Sequence, residues 1–130
     1  MLTVHILASG SEGNSLLVSG EGTHVLLDAG ISARRITAAL RELGLSPRDL
    51  SGVLLTHEHS DHVSGLATLV KQYRPPLYAT VGTARSGVLF SRLRCASTNC
   101  RVPEAARRCA RKAASLLDRC PQAPRMRCLR

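Results

Sequence analysis

The sequence predicts a mixed α/β fold in which one sheet carries helices packed against it. A succession of short apolar runs near the N-terminus, separated by turns rich in glycine and serine, indicates antiparallel strands. The later alternation of helical and strand-like patterns is typical of layered α/β architectures. At 130 residues the chain is one domain by length, and because only 2% of its residues are aromatic, its modest core must be aliphatic.

Three strands are expected in the first 28 residues. Residues 3–8 form an apolar run that ends in a Gly/Ser-rich turn at 9–14. Residues 15–19 and 24–28 are predicted to form a hairpin around the turn Gly20-Glu21-Gly22.

Helices and strands alternate after residue 30. Ser32 is a good N-cap for a helix that runs to Leu43, because the apolar residues between them recur at helical spacing. Residues 52–55 are a short apolar strand, and residues 63–73 are expected to be a second helix that ends before a Pro-Pro pair. Residues 77–79 then begin another strand.

The run from Thr56 to His62 contains three imidazoles and, at Asp61, a candidate carboxylate ligand, directly after the fourth predicted strand. These side chains bind first-row metals such as zinc, manganese and iron. His57 and His59 are two apart, so in an extended segment both can point the same way, whereas Asp61 and His62 are adjacent and are expected to diverge. The run therefore predicts ligands for two neighbouring metal positions; the alternative is a surface loop that happens to be rich in histidine.

The same run resembles the His-x-His-x-Asp-His signature of metallo-β-lactamase-fold hydrolases. The resemblance extends over residues 2–84 and includes the stretches 7–15, 26–30 and 76–80. Together these stretches are similar to a bacterial branch that includes a DNA exonuclease associated with cell-wall two-component signalling. The resemblance implies an αββα sandwich with metals at one edge, of which residues 1–84 would supply one ββα half.

The resemblance also implies roles for the metal run. His57 and His59 would bind a first divalent metal, and Asp61 and His62 would contribute to a second, with two zinc or manganese ions as the expected cofactors. Asp61 would also act catalytically by positioning the attacking water. The implied activity is hydrolysis of nucleic-acid phosphodiesters, DNA or RNA, by a metal-bound hydroxide.

Two further sites are predicted, each with an open alternative. Asp28 ends a strand, and the resemblance implies that it is a hydrogen-bond acceptor that orients a ligand imidazole; the alternative is an Asx turn or a helix entry. The small residues of the 9–14 loop would let backbone amides approach a phosphate, and the alternative is a simple tight turn. The candidate phosphate-binding residues are Ser9, Gly10, Ser11, Gly13 and Asn14.

The chain changes character near residue 85. Residues 1–84 contain six basic and seven acidic residues, whereas residues 85–130 contain twelve basic and two acidic ones, for net charges of −1 and +10. All five cysteines lie in the second segment without a C-x-x-C pair or an accompanying histidine, which argues against a structural zinc site. We expect this Arg/Cys-rich tail to be weakly helical, over residues 103–119, or disordered. Its composition is the kind that a shifted reading frame in a GC-rich gene produces.

The sequence leaves the function of this particular chain open. No histidine follows His62, and Asp118 is the last aspartate, so the later ligands that the resemblance implies are missing and activity is expected to be impaired. The alternatives are a catalytically inactive fragment and a non-specific nucleic-acid binder that uses the basic tail. No run approaches the ~20 apolar residues of a membrane span. No signal-peptide pattern begins the chain, so we expect a cytoplasmic protein.

Overall fold

The computed structural model describes residues 1–80, Thr83 and the backbone of residues 126–128. Within this part of the chain, a six-stranded sheet has its strands in sequence order. The strands are β1 (Thr3–Ala8), β2 (Ser15–Gly20), β3 (Thr23–Leu27), β4 (Gly52–Leu55), β5 (Leu77–Thr80) and β6 (Met126–Cys128). The predicted mixed α/β class is confirmed, and the strands predicted at 3–8 and 52–55 have the observed bounds.

The first three strands form an antiparallel meander. The hairpin between β2 and β3 has a two-residue loop in which Glu21 (φ 51°) and Gly22 (φ 72°) both adopt positive φ. This is the type I′ arrangement, whose twist matches that of the flanking strands. The glycine-rich turn predicted at 20–22 is therefore confirmed.

Strands β3, β4 and β5 are parallel to one another because helices connect the end of each strand to the start of the next. Helix α1 (Ala33–Glu42) connects β3 to β4, and helices α2 (Ser60–Val63) and α3 (Leu66–Tyr73) connect β4 to β5. A short 3-10 helix at Pro47–Asp49 was not predicted. Ser32 caps α1 as predicted, its hydroxyl accepting the Arg35 N–H at 3.3 Å.

The helix predicted at 63–73 is wrong in one respect, because the chain breaks it between α2 and α3. The break lies at Gly65, whose amide donates to the Ala29 carbonyl at 2.9 Å. A Cβ atom on Gly65 would lie 1.9 Å from the Ile31 carbonyl oxygen, so only glycine permits this approach. A contact with a distant segment thus overrides the local helical pattern.

The core lies between one sheet face and helices α1 and α3. Leu17, Leu26 and Val53 are aligned across β2, β3 and β4, and all three are fully buried. Ile36 of α1 and Leu69 of α3 pack into the same cluster. Every buried member of the cluster is Ala, Val, Leu or Ile, in line with the predicted aliphatic core.

The opposite face of the sheet is only partly covered. On β1, Val4 is 53% exposed and Ile6 is 69% exposed. The neighbouring strands continue the apolar row of Ile6 through Leu16 and Leu27. A partly covered sheet face agrees with the αββα sandwich that the resemblance implies, of which residues 1–84 would supply one ββα half.

Three residues of the tail extend the sheet. Met126–Cys128 forms β6 and pairs antiparallel with β5. The unpaired backbone groups of an edge strand favour such an addition. The expectation of a weakly helical or disordered tail stays a prediction. The helix predicted at 103–119 lies outside the described residues. In the described part, no helix has the length and apolar character needed to cross a membrane.

Candidate metal centre

The predicted site residues lie together at one end of the strands because the strands that precede them run in the same direction. Strands β1, β3 and β4 run in the same direction, so their carboxyl ends lie side by side. The 9–14 loop follows β1, Asp28 follows β3, and the 56–62 run follows β4. Ligand sites of α/β sheets commonly form where such strand ends meet.

The carboxylate of Asp28 makes three hydrogen-bond contacts with the metal run. Its Oδ1 accepts the Thr56 backbone N–H at 2.8 Å, and its Oδ2 accepts the Thr56 hydroxyl at 2.8 Å. The same Oδ2 lies 2.7 Å from Nδ1 of His62. Asp28 is only 3% exposed, and burying a carboxylate without hydrogen-bond partners is costly. The three donors offset this cost.

These bonds determine which ring nitrogens carry protons. An ionised carboxylate only accepts, so Nδ1 of His62 donates to it and a neutral ring keeps its lone pair at Nε2. The single hydroxyl proton of Thr56 also goes to Asp28. Nδ1 of His57, 3.0 Å from that hydroxyl oxygen, is therefore placed to donate to it. Both rings are left with Nε2 as the nitrogen that can bind a metal.

The backbone of Asp28 adopts an uncommon conformation that is stabilised by hydrogen bonds to its N–H and its carbonyl group. Its φ of 58° lies in the left-handed region, which aspartate tolerates better than most residues. Its N–H donates to the Leu54 carbonyl at 2.9 Å, and its carbonyl accepts the buried Ser15 hydroxyl at 2.9 Å. This conformation turns the side chain from β3 towards Thr56 at the end of β4.

The predicted ligands lie close together. The ring centroid of His57 is 4.6 Å from that of His59 and 3.9 Å from that of His62. Oδ2 of Asp61 lies 3.2 Å from Nε2 of His62. The expectation that Asp61 and His62 diverge is therefore wrong, because a separate hydrogen bond draws each side chain to the same place: Asn14 bonds to Asp61 and Asp28 to His62.

The chemistry of the donors fits a divalent metal. Nε2 of His62 lies 3.2 Å from Oδ2 of Asp61, so an imidazole nitrogen and a carboxylate oxygen, both of which are ligand atoms for divalent metals, are adjacent. In the part of the chain that the structure describes, however, no three His, Cys, Asp or Glu side chains are arranged to hold one ion. These side chains are therefore of the types that bind divalent metals and lie close together, but among the described residues they are not arranged as a three-ligand site.

The 9–14 loop uses much of its own hydrogen-bonding capacity. The Gly10 amide donates to Oδ1 of Asn14 at 3.1 Å, and the Gly13 amide donates to the Gly10 carbonyl at 3.2 Å. The Asn14 amide donates to the Asp61 carbonyl at 2.7 Å. These amides are engaged within the protein, which favours the tight-turn interpretation for them. Ser9 and Ser11 remain exposed at the loop surface.

Backbone contacts join the loop, the segment after β3 and the metal run. Gly30 donates to the Asn14 carbonyl at 2.9 Å, and Ala29 donates to the His62 carbonyl at 2.8 Å. A Cβ on Gly30 would lie 1.7 Å from the Asp61 carbonyl oxygen. The Ser64 hydroxyl also donates to the Gly30 carbonyl. Glycine at position 30 therefore permits the close packing that builds the site.

The sequence profile of the Metallo-beta-lactamase superfamily matches residues 8–97. This chain belongs to the metallo-beta-lactamase superfamily. Membership implies a divalent metal, although it does not identify the ion. The matched range contains every predicted site residue and extends beyond residue 84, where the resemblance in the sequence ended.

Curated relatives with exonuclease names match the same part of the chain. Exodeoxyribonuclease WalJ of Streptococcus pneumoniae strain D39 is 46% identical over 78 residues, which cover 60% of this chain and 29% of the relative. Exodeoxyribonuclease YycJ of Bacillus anthracis is 45% identical over 78 residues, which cover 60% of this chain and 30% of the relative. The matched part of the chain thus spans less than a third of the length of these relatives.

Solved structures of metallo-beta-lactamases share the fold. Rm3 metallo-beta-lactamase superposes with a TM-score of 0.54 at 33% identity, covering 62% of this chain and 30% of that structure. MIM-2 metallo-beta-lactamase gives a TM-score of 0.54 at 30% identity, covering 62% of this chain and 31% of that structure. The mixed α/β sheet of this chain therefore corresponds to part of the metallo-beta-lactamase fold.

Sequence reasoning missed two contacts of the site. The first is the Asn14 side chain, which reaches Asp61 across 47 positions of the chain. The second is the hydroxyl of Thr56, which links Asp28 to His57. Neither contact produces a periodic pattern; the position of Thr56 directly before the first histidine was the one available signal.

Proposed function

We propose that this chain carries part of the active site of a metal-dependent hydrolase that cleaves phosphodiester bonds of nucleic acid in the manner of an exonuclease. The observation that carries the proposal is the hydrogen bond from His62 to Asp28, which makes Nε2, rather than Nδ1, the ring nitrogen that can bind a metal. The exodeoxyribonuclease names of the relatives support the substrate class. A DNA substrate would also agree with the predicted cytoplasmic location.

In the proposed site, His57, His59, Asp61 and His62 hold zinc or manganese, since imidazole and carboxylate ligands suit both ions. A bound divalent ion supplies a Lewis acid and lowers the pKa of a water molecule towards neutrality. Asp61 would hydrogen-bond the attacking water, and Asp28 would keep His62 in its binding tautomer. A substrate phosphate would be contacted by the exposed hydroxyls of Ser9 and Ser11, because the Gly10, Gly13 and Asn14 amides are already engaged.

We also propose that turnover by this chain is weak. A catalytic metal typically has three protein ligands and an open position. The sequence offers no histidine after His62, so the donor set for two ions is incomplete within the chain. This part of the proposal would fail if the purified chain held about two ions and degraded DNA rapidly.

The test combines metal analysis with nuclease assays on end-labelled DNA. Wild type should bind zinc or manganese and release nucleotides slowly, and His57→Ala should lose both properties. His5→Ala is the matched control, because His5 lies on β1 among residues that the site does not use. A wild-type chain that binds neither ion and leaves DNA intact at saturating metal would refute the metallo-hydrolase proposal.

The charge of the tail favours a second candidate, non-specific nucleic-acid binding by a catalytically inactive fragment. Residues 85–130 carry a net charge of +10. Binding through phosphates would weaken steeply as salt increases. DNA retention that depends on salt but is unchanged by EDTA and by His57→Ala would support this candidate over the metal site.

A further inference from the structure

The side chain of Asn14 bridges the 9–14 loop and the proposed ligand Asp61. Its Nδ2 donates to Oδ2 of Asp61 at 3.2 Å and to the Gly10 carbonyl at 3.0 Å. The same nitrogen lies 3.4 Å from Nε2 of His62. The amide thus sits against two side chains that are proposed to bind metal.

The orientation of this amide is determined by its partners. Gly10 presents both its N–H and its carbonyl to Asn14, so Oδ1 must face the N–H and Nδ2 must face the carbonyl. Exchanging the two amide atoms would put donor against donor and acceptor against acceptor. The remaining N–H of Nδ2 is therefore directed to Asp61.

The main chain of Asn14 is held as firmly as its side chain. Its N–H donates to the Asp61 carbonyl at 2.7 Å, and its carbonyl accepts the Gly30 N–H at 2.9 Å. Gly13 permits this packing, since a Cβ there would lie 2.5 Å from the Gly30 carbonyl oxygen. Asn14 consequently contacts Asp61 through both its backbone and its side chain from a fixed position.

We propose that Asn14 is a positioning residue that holds the carboxylate of Asp61 for metal binding. One oxygen, Oδ2, is occupied by the Asn14 amide, and the rotation of the carboxylate is restricted. The inference rests on the proposed role of Asp61 as a ligand. Partners of this kind typically change metal affinity about 10- to 100-fold when they are removed.

The test uses Asn14→Ser in the full chain with Co²⁺ alone as the probe. Serine can still bond locally to the Gly10 turn but is too short to reach Asp61, so the fold should be retained. Titration followed by the visible absorption of bound Co²⁺ and by calorimetry should show affinity lowered about 10- to 100-fold. Gln72→Ser, which removes an exposed amide side chain from α3, is the matched control and should bind Co²⁺ as wild type does.

A double-mutant comparison separates positioning from a general structural role. In an Asp61→Ala background, Asn14→Ser should cause no further loss of Co²⁺ affinity, because the side chain it acts through is gone. An equal loss in both backgrounds, or wild-type affinity in the Asn14→Ser protein, would overturn the inference while leaving the metal site intact. Failure of wild type itself to bind Co²⁺ would instead refute the proposed metal site, and the inference with it.

Discussion

Replacement of Asp28 by asparagine should change the tautomer of His62 and destabilise the protein. Asp28 accepts three hydrogen bonds through two oxygens, and it is buried. Asparagine has one oxygen. If that oxygen keeps the Thr56 backbone N–H, the new NH₂ group faces Nδ1 of His62, which must then give up its proton.

The alternative orientation of the asparagine is also unfavourable. Its NH₂ group would face the Thr56 N–H, whose present distance to Oδ1 is 2.8 Å, so two donors would oppose each other in a buried place. A hydrogen bond to a charged group contributes about 1.5–3 kcal/mol. We therefore expect Asp28→Asn to lower the free energy of unfolding by about 2–3 kcal/mol, even without metal.

Two measurements check this expectation. Urea unfolding of the metal-free protein gives the free energy, and long-range ¹H–¹⁵N correlation spectra of the imidazoles give the tautomer of His62. Asp49→Asn is the control: Asp49 is exposed, and its Oδ2 accepts one N–H from Ser46, which asparagine can still bond. An Asp28→Asn protein with wild-type stability and an unchanged Nδ1–H tautomer would refute the account of how the site is oriented.

Three further substitutions, with Gly20→Ala and Leu43→Ala as controls, test packing and helix capping by urea unfolding. Gly30→Ala should lower the free energy of unfolding by at least about 3 kcal/mol, because its Cβ would lie 1.7 Å from a carbonyl oxygen of the metal run. In Gly20→Ala the new Cβ would lie 3.2 Å from the end of the Leu2 side chain and 3.3 Å from the Met1 carbonyl oxygen, so the free energy of unfolding should change by about 1 kcal/mol or less. Ser32→Ala removes the cap of α1 and should cost about 1 kcal/mol. Leu69→Ala should cost about 2–5 kcal/mol since the side chain is fully buried, and a similar loss for Leu43→Ala, which is 38% exposed, would contradict the described core.

The strands and the first helix could be predicted because their signals are local. Apolar runs bounded by glycine mark β1 and β4, and a serine cap followed by helical periodicity marks α1. The split between α2 and α3 could not be predicted in this way. It depends on the approach of Gly65 to the segment after β3, and sequence periodicity carries no information about such a contact.

The candidate site shows the same division between residue type and arrangement. The sequence predicts which side chains have metal-binding chemistry, because imidazole and carboxylate spacing is visible in the run itself. The sequence does not predict the directions of the Asp61 and His62 side chains. Adjacent side chains normally diverge, but here each one bonds to a residue that is distant in the sequence. Asn14 and Asp28 are those partners, at separations of 47 and 34 residues.

Among the described residues, three side chains provide the hydrogen bonds that orient His57, Asp61 and His62. Asn14 and Asp28 are the outside partners, and Thr56 belongs to the metal run itself. Within the described residues, these hydrogen bonds orient the three side chains in the absence of a metal. The His62 tautomer should therefore be the same in the metal-free chain as in the metal-bound chain. For this reason the effect of Asp28→Asn on that tautomer should be measurable whether or not the chain turns over DNA.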